Sequence, residues 1–399
     1  MSETNTYPLI LVPGLLGYGE QQKLLNRCLP YFGMTAGSAV HIAESAGISA
    51  HTASFQPLSG IWERTCELFA QISGGTVDYG ADYSLRHNIA RYGKSYNGFL
   101  PNFEQGSRKI ILVAHGFGAP VARLLTYLLA NGSPKEKGQG YDYSPLFEGG
   151  HGDAVHAVVT IAGNNDGTTL FQGLDYYVPD WKKGIVSTLI RSTAKTTGKT
   201  VEEATEDYLS ATEGNVFYEA GLDGMAAFNA QMEPNPDTYY LAFTGEVTED
   251  YTSRIKEKIP DKVASLLDID KGGPRSPFAG RLHEAVTIQD VYLPGKKAGV
   301  LAPTSAFLCF FQNHLPENPI VGAEAKPNDG LINTNTSLAP STEPVTGFSS
   351  VEKCYPGKWY QMPIEDRNHM SFLGLFEKPD HYRTEVQKFL RLVEGLESF

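Results

Sequence analysis

The sequence predicts an α/β fold: a mostly parallel central sheet, flanked by helices on both faces, with a long insertion between two of its strands. Three observations carry this expectation. Short unbroken apolar runs, of which Lys109-Ile-Ile-Leu-Val-Ala-His115 is the clearest, read as strands buried on both faces, because a half-exposed strand would alternate apolar and polar residues. Such runs alternate with stretches whose apolar residues recur at helical spacing, the order that joins parallel strands through helical crossovers. Sharp glycine turns follow two of the runs, at Pro13-Gly-Leu-Leu-Gly-Tyr-Gly19 and at Gly116-Phe-Gly118, and let the backbone approach a ligand or a neighbouring element closely.

The first strand is expected at Pro8 to Val12. Ile61, Trp62, Cys66, Leu68, Phe69 and Ile72 then recur at helical spacing until Gly74-Gly75, which ends the segment. The strand at 109–115 enters the Gly116-Phe-Gly118 turn, and Val121, Leu124, Leu125, Leu128 and Leu129 mark the inner face of a helix that stops at Asn131-Gly132. Further strands are predicted at Ala154 to Ala162 and Thr238 to Thr244, and a C-terminal amphipathic helix carries Tyr382, Val386, Phe389, Leu390, Val393 and Leu396. Between those two strands, residues 171 to about 235 form an insertion with mixed helical signals, long enough to cap something.

The 399 residues, 41% of them hydrophobic, suffice for one large domain spanning 1–399, and no second domain is demanded. A formal net charge of -12 speaks against nucleic acid and anionic membranes, both of which attract basic surfaces. Cys28, Cys66, Cys309 and Cys354 lie far apart with no zinc spacing, so buried thiols are expected and a disulfide framework is not. No run reaches the ~20 apolar residues of a membrane span. The N-terminus runs straight into a strand without the pattern of a secretory signal, which predicts a cytoplasmic protein.

The turn Ala114-His115-Gly116-Phe117-Gly118 has the context of a nucleophile elbow, G-x-S-x-G, with buried strand before and helix after. Ala114 and Gly118 supply the small flanks; the serine is missing, and Gly116 stands in its place. Alone, this turn reads more readily as a glycine-rich corner without chemistry. Asp329, in Pro327-Asn-Asp-Gly-Leu-Ile-Asn333, could be an ordinary turn residue, and His369, in Glu365-Asp-Arg-Asn-His-Met-Ser371, a surface histidine. Nucleophile position, acid, histidine is nevertheless the chain order of the α/β-hydrolase fold, and the Gly14 turn lies where the other half of an oxyanion hole belongs.

These features, together with Gly74-Gly-Thr-Val-Asp-Tyr-Gly80, Ala90-Arg-Tyr-Gly93, Ser144-Pro-Leu-Phe-Glu-Gly-Gly150, Asp166-Gly-Thr-Thr-Leu170, Asp237-Thr-Tyr-Tyr-Leu241 and Asn328-Asp-Gly-Leu-Ile-Asn333, make the chain resemble the thermoalkalophilic bacterial lipases over nearly its whole length. The resemblance implies a triad with Gly116 at the serine position, Asp329 as acid and His369 as base. It implies an oxyanion hole from the amides of Leu15 and Phe117, and a lid at 171–235 over an acyl pocket. It also places the family's zinc ligands on Glu63, Tyr83, Ile89 and Glu219, and its calcium ligands on Ser371 and Phe376, residues that cannot supply two imidazoles or a carboxylate cage. His87 and Asp82 lie near enough to compensate in principle. Neither ion, and no other cofactor, is expected.

The function expected is that of a lipase- or esterase-like hydrolase of a hydrophobic ester or lactone, inactivated by loss of its serine, with a small hydrophobic ester-like or metabolite ligand as partner. The alternative is a native Gly116 in a non-hydrolytic enzyme that uses His369 for cyclisation or proton transfer, or in a ligand-binding protein without catalysis.

Overall fold

The computed structural model describes residues 7–101, 103, 109–138, 140, 142–178, 180–193, 199–251, 292–311 and 325–397. A seven-stranded sheet runs in the order Val345–Gly347, Trp359–Gln361, Tyr239–Phe243, Val155–Ile161, Ile110–His115, Leu9–Val12, Ala50–Thr52. Every neighbouring pair in it is parallel, as expected of strands that read as continuous apolar runs. The four longer strands lie where the sequence places them. The other three strands have three residues each, too few for a periodicity to show.

Successive side chains of a strand point to opposite faces, and the two cores follow that alternation. Ile10, Val12, Ile110, Leu112 and Ala114 face one layer, together with Leu68 of helix Ile61–Ser73 and Val121, Leu125 and Leu128 of helix Gly118–Asn131. Leu9, Leu11, Ile111, Val113, Ala157 and Val159 face the other, where Leu390 and Val393 of the C-terminal helix Pro379–Glu394 cover them. Each side chain of this size removed from water contributes roughly 1.5–3 kcal/mol, so a one-residue slip of any central strand would exchange both layers at once.

Because the strands are parallel, their C-terminal ends share one edge of the sheet, the edge at which α/β folds bind ligands. The turns at Gly14 and Gly116 both open there, after Val12 and His115, which sit in adjacent strands with Val12 opposite Ala114. Between strands Val155–Ile161 and Tyr239–Phe243 the insertion folds into helices Leu170–Tyr177, Trp181–Thr193, Val201–Ser210, Val216–Glu219 and Leu222–Asn229. Phe171, Trp181 and Phe217 form its aromatic nucleus, with ring centroids 5.4–5.7 Å apart.

No helix among the described residues is long and apolar enough to cross a membrane. All four cysteines are free thiols, but Cys28 is exposed rather than buried. It ends the short helix Lys23–Cys28, which buries none of its residues.

The close packing of the elbow yields a prediction. A methyl group on Gly118 would stand 2.4 Å from Val12 O, whereas one on Gly184, in helix Trp181–Thr193, meets nothing within 4 Å. Gly118→Ala is expected to destabilise the fold by about 3 kcal/mol or more, and Gly184→Ala to stabilise it by about 0.5–1 kcal/mol. Chemical denaturation of both variants checks the contrast; an unaffected Gly118→Ala protein contradicts the elbow geometry.

Candidate active site

Gly116 follows strand Ile110–His115 at φ +52, the left-handed region in which residues with a Cβ are strained. Its own backbone fixes the bend: Gly116 N donates to Ile161 O (3.1 Å), while Gly116 O accepts from Asn164 N (3.0 Å) and Ala119 N (3.1 Å). A Cβ at this position would lie 3.1 Å from His369 Nε2, 3.3 Å from His369 Cε1 and 4.0 Å from Gly14 Cα. The imidazole therefore faces the space above residue 116.

The other ring nitrogen, Nδ1, lies 2.8 Å from Asp329 Oδ2. Asp329 is wholly buried and His369 is 6% exposed, so the pair sits in the weakly screening interior, where such a bond orients the ring firmly. Asp329 Oδ1 accepts from Leu331 N (2.9 Å) and Ile332 N (2.8 Å), which leaves both carboxylate oxygens engaged, as a buried charge requires. The turn is tied down again by its backbone, since His369 N donates to Asp329 O at 2.9 Å. The structure thus brings together Gly116, Asp329 and His369, residues 40 or more apart in sequence.

Leu15 and Phe117 flank the same space. A Cβ on Gly14 would lie 3.4 Å from Phe117 N, so the two glycine turns are in contact, and neither the Leu15 nor the Phe117 amide donates to a described backbone carbonyl outside the helices and strands. Arg64 braces this region from below. Fully buried in helix Ile61–Ser73, it donates to Ser59 O (2.7 Å) and Gly14 O (3.1 Å), and its guanidinium carbon lies 5.4 Å from the centre of the Phe117 ring. Sequence reasoning missed Arg64, because an arginine at a helical position normally reads as solvated.

With the geometry in hand, the relatives are informative. A family profile described as "Lipase-like, C-terminal domain" matches residues 5–176. "Lipase 2" of Staphylococcus aureus is 26% identical over 93% of this chain and 51% of its own length; the chain spans about half the length of the curated relatives it matches. Among solved structures, EstA from Clostridium botulinum shares 25% identity with a TM-score of 0.73, covering 100% of this chain and 89% of that one. Staphylococcus hyicus lipase shares 20% identity with a TM-score of 0.75, covering 99% and 98%. The chain has a bacterial lipase-like fold of the α/β-hydrolase type. The expectation of a cytoplasmic protein is corrected by the staphylococcal lipases among these relatives, which are secreted.

The positions that the resemblance assigns to zinc do not fit that ion. Glu63, Tyr83 and Glu219 do converge: a Cβ on Gly214 would meet Tyr83 Oη at 3.1 Å and Glu63 Oε1 at 3.4 Å, and Glu219 accepts from Gly214 N at 2.9 Å. Their carboxyl oxygens serve the backbone, Glu63 Oε2 holding Gly60 N and Glu219 Oε2 holding Ile61 N, both at 2.6 Å. Ile89 is 38% exposed. His87 bonds Glu213 (2.8 Å) and packs on Tyr83 with ring centroids 4.2 Å apart, and Asp82 pairs with Arg86 at 2.9 Å; among the described residues no imidazole bonds either of the two carboxyls. At the calcium positions, Ser371 donates its hydroxyl to Asn368 O (2.8 Å) and Phe376 is 72% exposed.

The carboxyl pair has a consequence for stability. Burial pushes Glu63 up to about 8, with the neighbouring Glu219 adding to the rise, and burial pushes Glu219 up to about 7. An unfolded glutamate titrates near ~4.3, so the folded chain holds protons that the unfolded chain has lost. The contribution to stability is fully present below that value and is lost as pH rises through about 7 to 8. Melting temperature is expected to fall by a few degrees between mildly acidic and alkaline buffer, and to fall less in Glu63→Gln. Equal slopes in the two proteins would contradict the buried pair.

Proposed function

We propose that the site is that of a lipase- or esterase-type carboxylic ester hydrolase in which glycine occupies the nucleophile position, so that hydrolysis is severely impaired while binding of a hydrophobic ester-like ligand is retained. One observation supports this most strongly: His369, oriented by Asp329 at 2.8 Å, presents Nε2 within 3.1 Å of where a Cβ at residue 116 would begin. Without a hydroxyl there is no oxygen to form an acyl-enzyme. The amides of Leu15 and Phe117 would still polarise an ester carbonyl, and His369 could at best activate water, which leaves only the weak acceleration that survives when a triad loses its nucleophile.

In this reading the whole chain forms one catalytic domain, and residues 171–235 act as its lid. The aromatic nucleus of Phe171, Trp181 and Phe217 is continuous with the hydrophobic core of the sheet and its helices, which seats the insertion firmly and suits a cap that encloses an apolar acyl chain. The substrate class follows from the same chemistry: an ester or lactone with an apolar acyl part.

Gly116→Ser tests the proposal. Esterase activity on short p-nitrophenyl esters is expected to rise by at least about 10³-fold, since losing a triad serine typically costs on the order of 10⁶ in turnover, and a fluorophosphonate probe should label Ser at that position. The new side chain sits at φ +52 and obliges His369 to retreat by a few tenths of an ångström, so stability should fall by about 1–2 kcal/mol. A folded serine variant that neither turns over esters nor takes the probe overturns the hydrolase reading. Faster conversion of a metabolite by the glycine form than by the serine form would assign the pocket to non-hydrolytic chemistry.

A further inference from the structure

His115 is buried at the end of the central strand, 1% exposed, where every neighbour on the strand is apolar. An imidazole there costs free energy unless both nitrogens are satisfied, and both are. Nδ1 lies 3.0 Å from the Tyr31 hydroxyl and Nε2 lies 3.1 Å from His369 O. The Tyr31 oxygen in turn accepts from Gly14 N at 3.1 Å.

Donor and acceptor accounting leaves one consistent assignment. A tyrosine hydroxyl has one hydrogen. With its oxygen accepting from Gly14 N–H, the hydroxyl donates to His115 Nδ1. The carbonyl of His369 can only accept, so His115 carries its proton on Nε2 and donates there. Burial holds the His115 imidazole well below the usual histidine range, and the nearby His369 ring adds to the effect, so the neutral form that this chain of bonds needs is the form that persists.

The chain of bonds links three parts that must be in register: the Gly14 turn that leads into the Leu15 amide, the strand end that leads into Gly116, and the backbone of the catalytic histidine. The loop carrying Tyr31 also grips the segment after His369, through Gly33 N to Leu373 O (2.9 Å) and Thr35 Oγ1 to Gly374 O (3.1 Å). We propose that Tyr31 and His115 are positioning residues that hold His369 and the Gly14–Leu15 turn in register across residue 116, an inference that rests on the hydrolase reading of the site. His369 is then fixed at three points: its N–H by Asp329 O, its C=O by His115, and its Nδ1 by Asp329 Oδ2. Only Nε2 remains directed at the reacting position. No proton moves along the Tyr31–His115 chain during turnover; it sets distance and angle, where an error of about 1 Å can cost on the order of 10²-fold in rate.

Two measurements test this, one independent of activity. In the glycine protein, imidazole nitrogen NMR is expected to show His115 as the Nε2–H tautomer, without titration between about pH 5 and 8. Tyr31→Phe should shift both His115 Nδ1 and the low-field proton of the His369–Asp329 bond. In the Gly116→Ser protein, Tyr31→Phe and His115→Leu should each lower kcat about 10- to 100-fold per probe-labelled site, with KM changed less than about threefold. His115→Gln, which keeps an N–H donor, should retain more of kcat than His115→Leu. An Nδ1–H tautomer, an unmoved His369–Asp329 proton in Tyr31→Phe, or full kcat per labelled site in both variants overturns the proposal. An inactive Gly116→Ser protein with the expected NMR behaviour would instead reject the hydrolase reading and leave the positioning of His369 standing.

Discussion

The first helix turn after the elbow lies so near the first strand that the hydrogens of Gly118 take up the available room; any side chain there would collide with Val12 O and Pro13 O. That contact fixes where helix Gly118–Asn131 begins, and with it the sharp bend at residue 116. The rest of the site is arranged around the bend. Parallel pairing of Leu9–Val12 with Ile110–His115 puts the Gly14 turn beside it, and the neighbouring strand Val155–Ile161 supplies the carbonyl that accepts from Gly116 N. The fold builds a rigid step in the backbone and then directs polar groups at the top of it.

Directing them requires burying them. Asp329, His369, His115 and Arg64 are each less than a tenth exposed, and a buried ionisable group without partners costs several kcal/mol. The structure offsets that cost by giving each group backbone or side-chain partners: two amides and an imidazole for Asp329, four carbonyls and the aromatic faces of Phe55 and Phe117 for Arg64. The same bonds that make burial tolerable also remove freedom of orientation. Rigidity at the site is thus a by-product of satisfying it. The region to which the resemblance assigns zinc follows the same logic with different groups, since Glu63 and Glu219 hold backbone amides and the rings of His87, Tyr83, Trp62 and Phe147 pack in succession, with centroids 4.2–5.5 Å apart.

What was legible in the sequence follows from how far each signal reaches along the chain. Strands such as Ile110–His115 and helices such as Ile61–Ser73 are written as local periodicities, and the elbow is written in five consecutive residues. Asp329 and His369 could be placed because the fold constrains their order. The Tyr31–His115–His369 connection spans 84 and 254 residues, and the approach of Glu219 to Ile61 spans 158, so no window of sequence contains either. Cys28 proved exposed because a thiol's burial depends on a helix too short to show a face. The cytoplasmic expectation failed for another reason: it rested on the N-terminal residues alone, whereas the longer staphylococcal relatives are secreted.

On the proposed reading, ester-binding and activating groups surround a position that lacks its nucleophile. That reading is tested most directly by a crystal structure of this glycine-containing chain grown with a hydrophobic alkyl ester such as ethyl hexanoate. The expected result is an intact ester with its carbonyl carbon above Gly116, its carbonyl oxygen about 2.7–3.1 Å from the amide nitrogens of Leu15 and Phe117, and His369 Nε2 facing the reacting centre while Asp329 holds Nδ1. An ester bound away from residue 116, or Asp329 and His369 found apart with the ligand in place, would contradict it.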